Sequence, residues 1–366
     1  MTLIIDWSAL CHNRLYSLLS NDMPITRATE EEEIKYRLAR RVYELLDLVK
    51  PKRVIFACDN KVEGKRNYWR TGYLELYYRK NTKFFRDTED RFYVIFDNTL
   101  FEYDPETQTL GAKLTKKNTP SDLELVIIDS PADKICPKYK GTRKAAEWVF
   151  ATPKARMDEI FAETLMELTA VVPDSRIVNA ELAEADDIAG VLCGLAKTPH
   201  TLATLDSDWY QLISENVKLV NFGSSELCYI EKTPEEVAYD LQLKILQGDA
   251  GDGIKGTWIP GKAGCLGAVK AAKIIEEDKI DTVDVGAYER NRKLITLDID
   301  TIPKMIQKNV KEQVKAKVCS DRELSWEYFT INEKEQRLLT RPTESVLTRK
   351  IAEVDDTEEE EIELPF

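Results

Sequence analysis

Short apolar runs that end in aspartate alternate with helical patterns at the start of the chain. Residues 3–6 read Leu-Ile-Ile-Asp and residues 53–59 read Arg-Val-Ile-Phe-Ala-Cys-Asp. Runs of this kind, rich in β-branched residues, are typical of buried parallel strands. Between them, residues 30–50 repeat apolar side chains at helical spacing and stop before Pro51. The pattern predicts a βαβ unit with both aspartates at the carboxyl ends of its strands.

The same alternation returns in the second half of the chain. It predicts helices at 155–170, at 185–197 and from near Ser207, and strands at 175–179, 201–205 and 217–221. Alternating strands and helices of this length indicate an α/β fold with a doubly wound, mainly parallel sheet.

Four segments stand outside this alternation. Residues 61–86 are rich in basic and aromatic side chains, residues 87–137 contain strand and turn patterns, the chain from 234 to 345 is helical with interspersed glycines, and residues 346–366 are strongly charged. We expect a β insertion at 87–137, a second domain at 234–345 and a disordered acidic tail at 346–366.

The segment 61–86 combines bases that suit phosphates with rings that can stack on nucleobases. The alternative is an amphipathic helix with a solvated basic face. The candidate nucleic-acid contacts in and beside this segment are Arg66, Arg70, Tyr77, Arg79, Lys80 and Lys83.

Composition excludes several classes of protein. The seven cysteines form no C-x-x-C pair and there are only two histidines. The chain therefore has few residues for a zinc site or for catalysis by histidine. No apolar run is long enough to span a membrane and no signal peptide is apparent, so we expect a cytoplasmic protein, in the host cytoplasm if it is phage-encoded.

The net charge of −13 is misleading, because the acids are unevenly placed. Eight of them lie between Glu353 and Glu363, and nine others lie in the short motifs described next. If those nine bind metal, the rest of the chain is slightly basic. The acidic balance is therefore weak evidence against a phosphate-bearing partner.

Nine carboxylates follow predicted strands or lie at the ends of predicted helices. They are Asp6, Asp59, Glu184, Asp186, Asp187, Asp206, Asp208, Asp249 and Asp252. Each alone is explained by a helix cap or a turn, but together they would repel one another without cations. Oxygen-only ligation favours Mg²⁺, with Mn²⁺ as a substitute, and two such ions can assist phosphodiester hydrolysis. Lys140 and Arg143, one helical turn apart, can face one phosphate.

The combined motifs resemble the 5′ nucleases of the flap endonuclease family, most closely the phage ribonuclease H branch. The resemblance rests on Leu-Ile-Ile-Asp6, Phe-Ala-Cys-Asp59, Tyr-Lys140-Gly-Thr-Arg143, Glu184-Ala-Asp186-Asp187, Leu-Asp206-Ser-Asp208-Trp-Tyr-Gln-Leu and Gly-Asp249-Ala-Gly-Asp252-Gly. It implies a PIN-like nuclease domain over 1–233 in which the nine acids hold metal. It also implies 5′-3′ exonuclease and 5′-flap endonuclease activity that removes primers or flaps during phage DNA replication.

The resemblance also assigns roles to particular residues. Lys140 and Arg143 would be the cations at the base of an arch, with Lys80 as a rival lysine, and Asp6 and Asp208 would complete the catalytic set. The helical domain at 234–345 would carry a helix-three-turn-helix element that grips duplex phosphates, often with K⁺. Its predicted contacts are Gly248, Gly251, Gly253, Gly256, Gly261 and Lys262. The turn departs from the family pattern at Gly253, Lys255 and Pro260–Gly264.

Two other functions remain open on the sequence alone. A PIN-like endoribonuclease would share the acidic sheet edge and cut single-stranded RNA, whereas a non-catalytic DNA-binding replication factor would not need the acids. The expected partners are a duplex with a 5′ end or flap, or an RNA primer–DNA hybrid. The apolar residues that end the acidic tail also suggest docking to a sliding clamp or a single-strand-binding protein.

Overall fold

The computed structural model describes residues 1–20, 27–62, 65–66, 68–115, 117–128, 135, 137–141, 147–224, 226–262 and 264–316. Its helices are α1 (Trp7–Tyr16), α2 (Arg27–Val49), α3 (Trp69–Asn81), α4 (Lys154–Val171), α5 (Ala185–Gly194), α6 (Pro234–Gln247), α7 (Ala268–Glu276), α8 (Val285–Ile295) and α9 (Lys304–Lys315). Short 3₁₀ helices lie at Ser17–Ser20, Ser207–Leu212 and Ile280–Thr282.

The strands are two to six residues long. They are β1 (Thr2–Asp6), β2 (Arg53–Ala57), β3 (Lys61–Val62), β4 (Lys65–Arg66), β5 (Lys83–Arg86), β6 (Phe92–Phe96), β7 (Thr99–Asp104), β8 (Thr109–Lys113), β9 (Glu124–Val126), β10 (Ser175–Val178), β11 (His200–Thr204), β12 (Val217–Asn221) and β13 (Cys228–Ile230).

A six-stranded sheet in the order β10-β2-β1-β11-β12-β13 forms the centre of the described molecule. All neighbouring pairs are parallel except β12–β13, which is antiparallel. Successive side chains of β1 alternate between the two faces: Leu3 and Ile5 pack with α1, α2 and α4, and Ile4 packs with α5 and α9. The predicted doubly wound α/β fold and its βαβ start are confirmed.

The β insertion forms a separate antiparallel sheet in the order β8-β7-β6-β5-β9. Its first strand, β5, begins at Lys83, so the end of the basic segment belongs to this sheet. The preceding residues form the β3–β4 hairpin and α3, which buries Leu74 and Tyr78. The basic segment is thus divided between a hairpin, a helix and a strand.

The helical part begins at α6, where Thr233 and Glu236 form a reciprocal capping box and Pro234 opens the helix. Helices α6 and α7 pack on each other around Leu246 and Ile274. Helix α9, which the sequence analysis assigned to the helical domain, instead packs on the α/β core through Ile306. The amphipathic side of α9 covers the α5 face of the sheet, which corrects that assignment. No helix among the described residues is both long and apolar enough to cross a membrane.

Candidate functional site

Three predicted acids lie at the carboxyl edge of three adjacent parallel strands. Asp6 is the last residue of β1, Asp59 comes two residues after β2, and Asp206 comes two residues after β11. The Asp59 carboxylate accepts a hydrogen bond from the Ala185 N–H at 3.0 Å, which joins the end of β2 to the start of α5. The topology therefore brings these acids together, as the strand pattern predicted.

Asp6 is buried at the centre of this edge. Its carboxylate caps α1 by accepting from the Ala9 N–H at 3.0 Å, and it accepts from the Thr204 hydroxyl at 2.8 Å. Burial, followed by the negative charges of Asp59 and Asp206, raises the pKa of Asp6 to about 7. Burial and the neighbouring acids therefore outweigh the two hydrogen bonds that this carboxylate accepts.

Asp186, in the first turn of α5, lies in a similar buried and acidic environment. Trp209 Nε1 donates to its carboxylate at 2.7 Å. Burial, with added repulsion from Glu184 and Asp206, raises the pKa of Asp186 well above its ordinary value. Asp186 thus lies close enough to Glu184 and Asp206 for their charges to interact.

Asp187 and Arg70 form a buried ion pair behind these acids. Arg70 Nη1 lies 2.8 Å from an Asp187 oxygen and 3.2 Å from Glu184 Oε2, and Trp69 Nε1 also donates to Asp187 at 3.1 Å. Arg70 is only 2% exposed. The expectation that Arg70 contacts nucleic acid is therefore wrong for this conformation: its guanidinium fixes the start of α5. Asp187 likewise serves as an internal support rather than facing the centre of the edge.

Lys140 lies at the end of the sheet where Asp6, Asp59, Glu184, Asp186 and Asp206 meet, which we call the acidic edge. Its ammonium contacts Glu184 and lies 3.9 Å from Asp252 Oδ2, while its backbone N–H donates to the Asp252 carbonyl at 2.8 Å. Burial alone would lower the pKa of Lys140, but the charges of Glu184, Asp186 and Asp252 outweigh it and raise the pKa. Lys80, the rival lysine, is exposed on the last turn of α3. The geometry favours Lys140.

Tyr139, next to Lys140, ties the same two acids together. Its hydroxyl lies 2.7 Å from Glu184 Oε2 and 3.0 Å from Asp252 Oδ2. Glu184 belongs to the α/β core and Asp252 to the glycine-rich loop after α6, so this contact joins the two parts of the molecule.

A second lysine makes an equivalent bridge. Lys244, in the last turn of α6, contacts Asp208 and lies 2.8 Å from Asp249 Oδ2. Burial, followed by the charge of Asp206, raises the pKa of Asp208. Burial acts in the same direction on Asp249, but its hydrogen bond with Lys244 prevails and lowers its pKa. Each lysine therefore links one acid of the core to one acid of the loop.

The predicted duplex-binding glycines fall into two groups. Gly253 and Gly256 are buried, and an added Cβ at Gly253 would lie 2.8 Å from the Lys138 carbonyl oxygen. Gly248 has a φ of +74°, and a Cβ there would meet the backbone of Ile254 at 2.4 Å. These three glycines allow the loop to fold tightly, and their contact with nucleic acid stays a prediction. Gly251, Gly261 and Lys262 are exposed.

The remaining predicted contacts lie farther along the basic segment. Arg79, Lys80 and Lys83 are exposed, and Tyr77 is half-buried against Arg290. The Arg66 side chain, Arg143 and the acidic tail lie outside the described residues.

The acidic edge fits a hard divalent cation by its chemistry. Its donors are carboxylate oxygens. Burial, followed by repulsion from neighbouring acids, raises the pKa values of Asp6 and Asp186, and a bound cation would stabilise both side chains as carboxylates. Among the described residues, no three Asp, Glu, His or Cys side chains form a ready-made metal-binding group. Protein N–H and O–H groups donate to individual oxygens of Asp6, Asp59 and Asp186.

Sequence reasoning missed Lys244, Tyr139 and Trp209, which position five of the predicted acids. Lys244 could have been suspected, because it lies five residues before Asp249 in the final turn of a helix. Tyr139 and Trp209 stand in the quoted motifs beside Lys140 and Asp208, but the motifs gave neither a role, since an aromatic residue is equally typical of a core.

Comparison with known proteins supports the relation drawn from the motifs. Residues 107–241 match the family model described as the 5′-3′ exonuclease, N-terminal resolvase-like domain. The matched stretch contains Lys140, Glu184 and Asp208. This match confirms the resemblance to the 5′ nuclease family for that part of the chain. The narrower placement in the phage ribonuclease H branch stays a prediction. No curated protein matches the chain in sequence.

Solved structures to which the chain is similar include three nuclease structures. The T5 D15 protein co-crystallised with metal ions is 17% identical, with 86% of this chain and 99% of that chain covered and a TM-score of 0.47. The bacteriophage T5 flap endonuclease in a pseudo-enzyme-product complex with DNA and metal ions is 16% identical, with 86% and 98% covered and a TM-score of 0.46. Flap endonuclease-1 of Methanococcus jannaschii is 14% identical, with 86% and 91% covered and a TM-score of 0.38.

Proposed function

We propose that this protein is a metal-dependent 5′ nuclease that acts as a 5′-3′ exonuclease and a 5′-flap endonuclease on duplex DNA or RNA–DNA hybrids. The observation that carries the proposal is the meeting of core acids, loop acids and Lys140 at one sheet edge. The family match over residues 107–241 supports the same reaction class. Removal of primers or flaps during replication is the role that suits this activity.

The carboxylates at the acidic edge would hold two Mg²⁺ ions, or Mn²⁺ in their place. The residues concerned are Asp6, Asp59, Glu184, Asp186, Asp206 and Asp208, with Asp249 and Asp252 on the loop side. Bound there, the ions would supply Lewis-acid activation and a water of lowered pKa. A K⁺ ion at the glycine-rich loop remains part of the proposal.

The protein's own side chains would orient the phosphate. Lys140 is held by Glu184 and Asp252 beside the acids, so exchanging one carboxylate for a phosphate oxygen would place its charge on the substrate. Tyr139 fixes the two acids that Lys140 contacts. Arg143 would add a second donor to the same phosphate.

The open side of the glycine-rich loop would hold the uncut duplex. Gly261 has space around its Cα, and Lys262 beside it is exposed. Backbone N–H groups and a lysine at such a position suit a phosphate backbone. The helix α3 bases Arg79 and Lys80, with Lys83 on β5, would guide the 5′ strand.

The test is cleavage of a labelled 5′-flap duplex in Mg²⁺ by the wild type, Asp208→Asn and Asp240→Asn. Asp240 is a nearby control, because it lies on α6 one turn before Lys244 but pairs with Lys232 and not with Lys244. We expect Asp208→Asn to lose at least about 100-fold in cleavage rate and Asp240→Asn to cut normally. Undiminished cleavage by Asp208→Asn would overturn the proposed reaction.

A further inference from the structure

The β6–β7 hairpin of the insertion ends in a tight turn made by Asp97 and Asn98. Phe96 pairs with Thr99, and the two residues between them have φ values of 42° and 55°. Left-handed conformations at both positions define the type I′ hairpin turn, which Asp and Asn tolerate. The turn places both side chains at the tip of the sheet.

The tip of this hairpin is anchored to α8. The Asp97 carboxylate accepts from Arg290 Nη1 at 2.7 Å and from the Tyr78 hydroxyl at 2.8 Å. The Arg290 side chain has no exposed surface, and Asp97 is 8% exposed. A buried, charge-assisted pair of this kind holds a fixed geometry because breaking it would leave an unpaired charge.

Arg290 also contacts the glycine-rich loop that follows α6. Its Nη2 donates to the Lys255 carbonyl at 2.7 Å, and its guanidinium lies 5.8 Å from the centre of the Trp258 ring. Asn291 Nδ2 donates to the same Lys255 carbonyl at 2.9 Å. One loop carbonyl and one loop aromatic ring thus meet the Arg290 guanidinium.

The turn also contacts the loop directly. Asn98 Nδ2 donates to the Lys262 carbonyl at 2.7 Å. The insertion therefore meets the loop at two points, one through Arg290 near Lys255 and one at Lys262. Between them lies the exposed stretch of the loop that includes Gly261.

We propose that Asp97 and Asn98 are positioning residues, and that the insertion is a strut that holds residues 255–262 in the conformation that binds the phosphates of an uncut duplex. This inference rests on the proposed function, because it specifies how that function's duplex-binding loop is held. The strut acts on substrate binding and not on the acidic edge, since neither residue contacts any of the nine acids.

The test compares Asp97→Asn, Asn98→Gly and the control Asp104→Asn. Asp97→Asn keeps the side-chain shape and removes its charge, and Asn98→Gly removes only the amide while tolerating positive φ. Asp104 caps the β7–β8 turn at the other end of the same sheet by accepting from the Glu106 and Thr107 N–H groups. The readouts are amide hydrogen exchange of residues 255–262, kcat and KM on a 5′-flap duplex, and affinity for an uncut duplex in chelator.

We expect exchange in residues 255–262 to quicken about tenfold in Asp97→Asn and Asn98→Gly, with a similar rise in KM and in duplex Kd. The kcat should stay within about twofold, because the acids are untouched. Asp104→Asn should match the wild type in every readout. A fall in kcat with unchanged KM would overturn the strut, as would unchanged exchange and duplex affinity in both variants.

The outcomes separate this inference from the proposed function. Wild-type protein that binds no duplex overturns both. Wild-type binding with unaltered loop exchange and affinity in both variants overturns the strut alone. If Asp97→Asn fails to fold, Asn98→Gly gives the answer by itself, because it leaves the buried pair intact.

Discussion

The ammonium of Lys244 lies 2.8 Å from Asp249 Oδ2, and on its other side it contacts Asp208. The protein thus supplies its own cation between a core acid and a loop acid. Lys140 does the same between Glu184 and Asp252. A divalent ion that uses Asp208 or Asp249 must compete with the Lys244 ammonium for the same oxygens.

Replacing Lys244 with methionine should therefore strengthen metal binding. Lys244→Met keeps much of the apolar stem and removes the competing charge, so we expect Mn²⁺ to bind up to about tenfold more tightly. The metal-free variant should be less stable than the wild type by about 1 kcal/mol, because the bridge is partly exposed to solvent. Titration calorimetry and thermal unfolding in chelator measure the two effects.

Lys232→Met is the matched control for this comparison. Lys232 pairs with Asp240 and not with any of the nine acids, so Mn²⁺ affinity should not change. Equal Mn²⁺ affinity in Lys244→Met and the wild type would show that the bridge does not compete with metal.

Arg70→Met tests the structural role assigned to that arginine. Both side chains of the Arg70–Asp187 pair are buried, so removing the cation leaves a charged carboxylate without its partner. We expect a loss of about 3–5 kcal/mol in the free energy of unfolding, measured in urea. Arg79→Met, on the exposed side of the same helix, should lose less than about 0.5 kcal/mol. A stable Arg70→Met protein with weakened DNA binding would restore the nucleic-acid role.

Tyr139→Phe removes one hydroxyl that lies between Glu184 and Asp252. The loss of these hydrogen bonds at a buried position should cost about 1–3 kcal/mol in unfolding free energy. The loop after α6 should also exchange its amide hydrogens faster, because a link to the core is gone. Tyr229→Phe, at a 41% exposed position, is the control. Unchanged stability and exchange in Tyr139→Phe would contradict the bridging role.

The stability of the insertion should depend on pH through Asp87. Burial alone would raise the pKa of Asp87. Its carboxylate accepts hydrogen bonds from the Arg91 N–H, the Tyr93 hydroxyl and the Arg91 side chain, and these lower the pKa to about 2. Because the folded pKa lies below the unfolded value, this contribution is complete above about pH 4 and is lost as the pH falls towards 2.

The measurement for Asp87 is thermal unfolding of the wild type and Asp87→Asn between pH 7 and pH 3. We expect the variant to be less stable at pH 7 and the difference to shrink as the pH falls. Asp90→Asn, whose side chain is 82% exposed, should show no such trend. A difference that stays constant with pH would contradict the assignment.

The sequence was sufficient for the sheet and the placement of most acids. Apolar runs that end in Asp6 and near Asp59 specify strands, and parallel packing brings their ends to one edge. The contacts that hold those acids were less predictable. Lys244 meets Asp208 across 36 positions and Tyr139 meets Asp252 across 113, and no local pattern encodes such distances.

Arg70 shows why composition misled at one position. A basic residue among aromatics is typical of a nucleic-acid surface, but α3 turns this guanidinium inward to two buried acids. Its neighbours Arg79 and Lys80 point to solvent on the same helix. Only the helix's packing against α5 and α8 decides between the two roles. The position of α9 on the α/β core likewise depends on tertiary packing, which its sequence pattern does not specify.

The most direct measurement is cleavage of a labelled 5′-flap duplex beside a labelled unstructured RNA, each with Mg²⁺ and with chelator. The account predicts Mg²⁺-dependent cutting of the duplex at the 5′ end or flap junction, with the RNA left intact. Equal cutting of the RNA would favour a PIN-like endoribonuclease. Absence of any cutting in Mg²⁺ would contradict the central claim that the acidic edge is the active site of a 5′ nuclease.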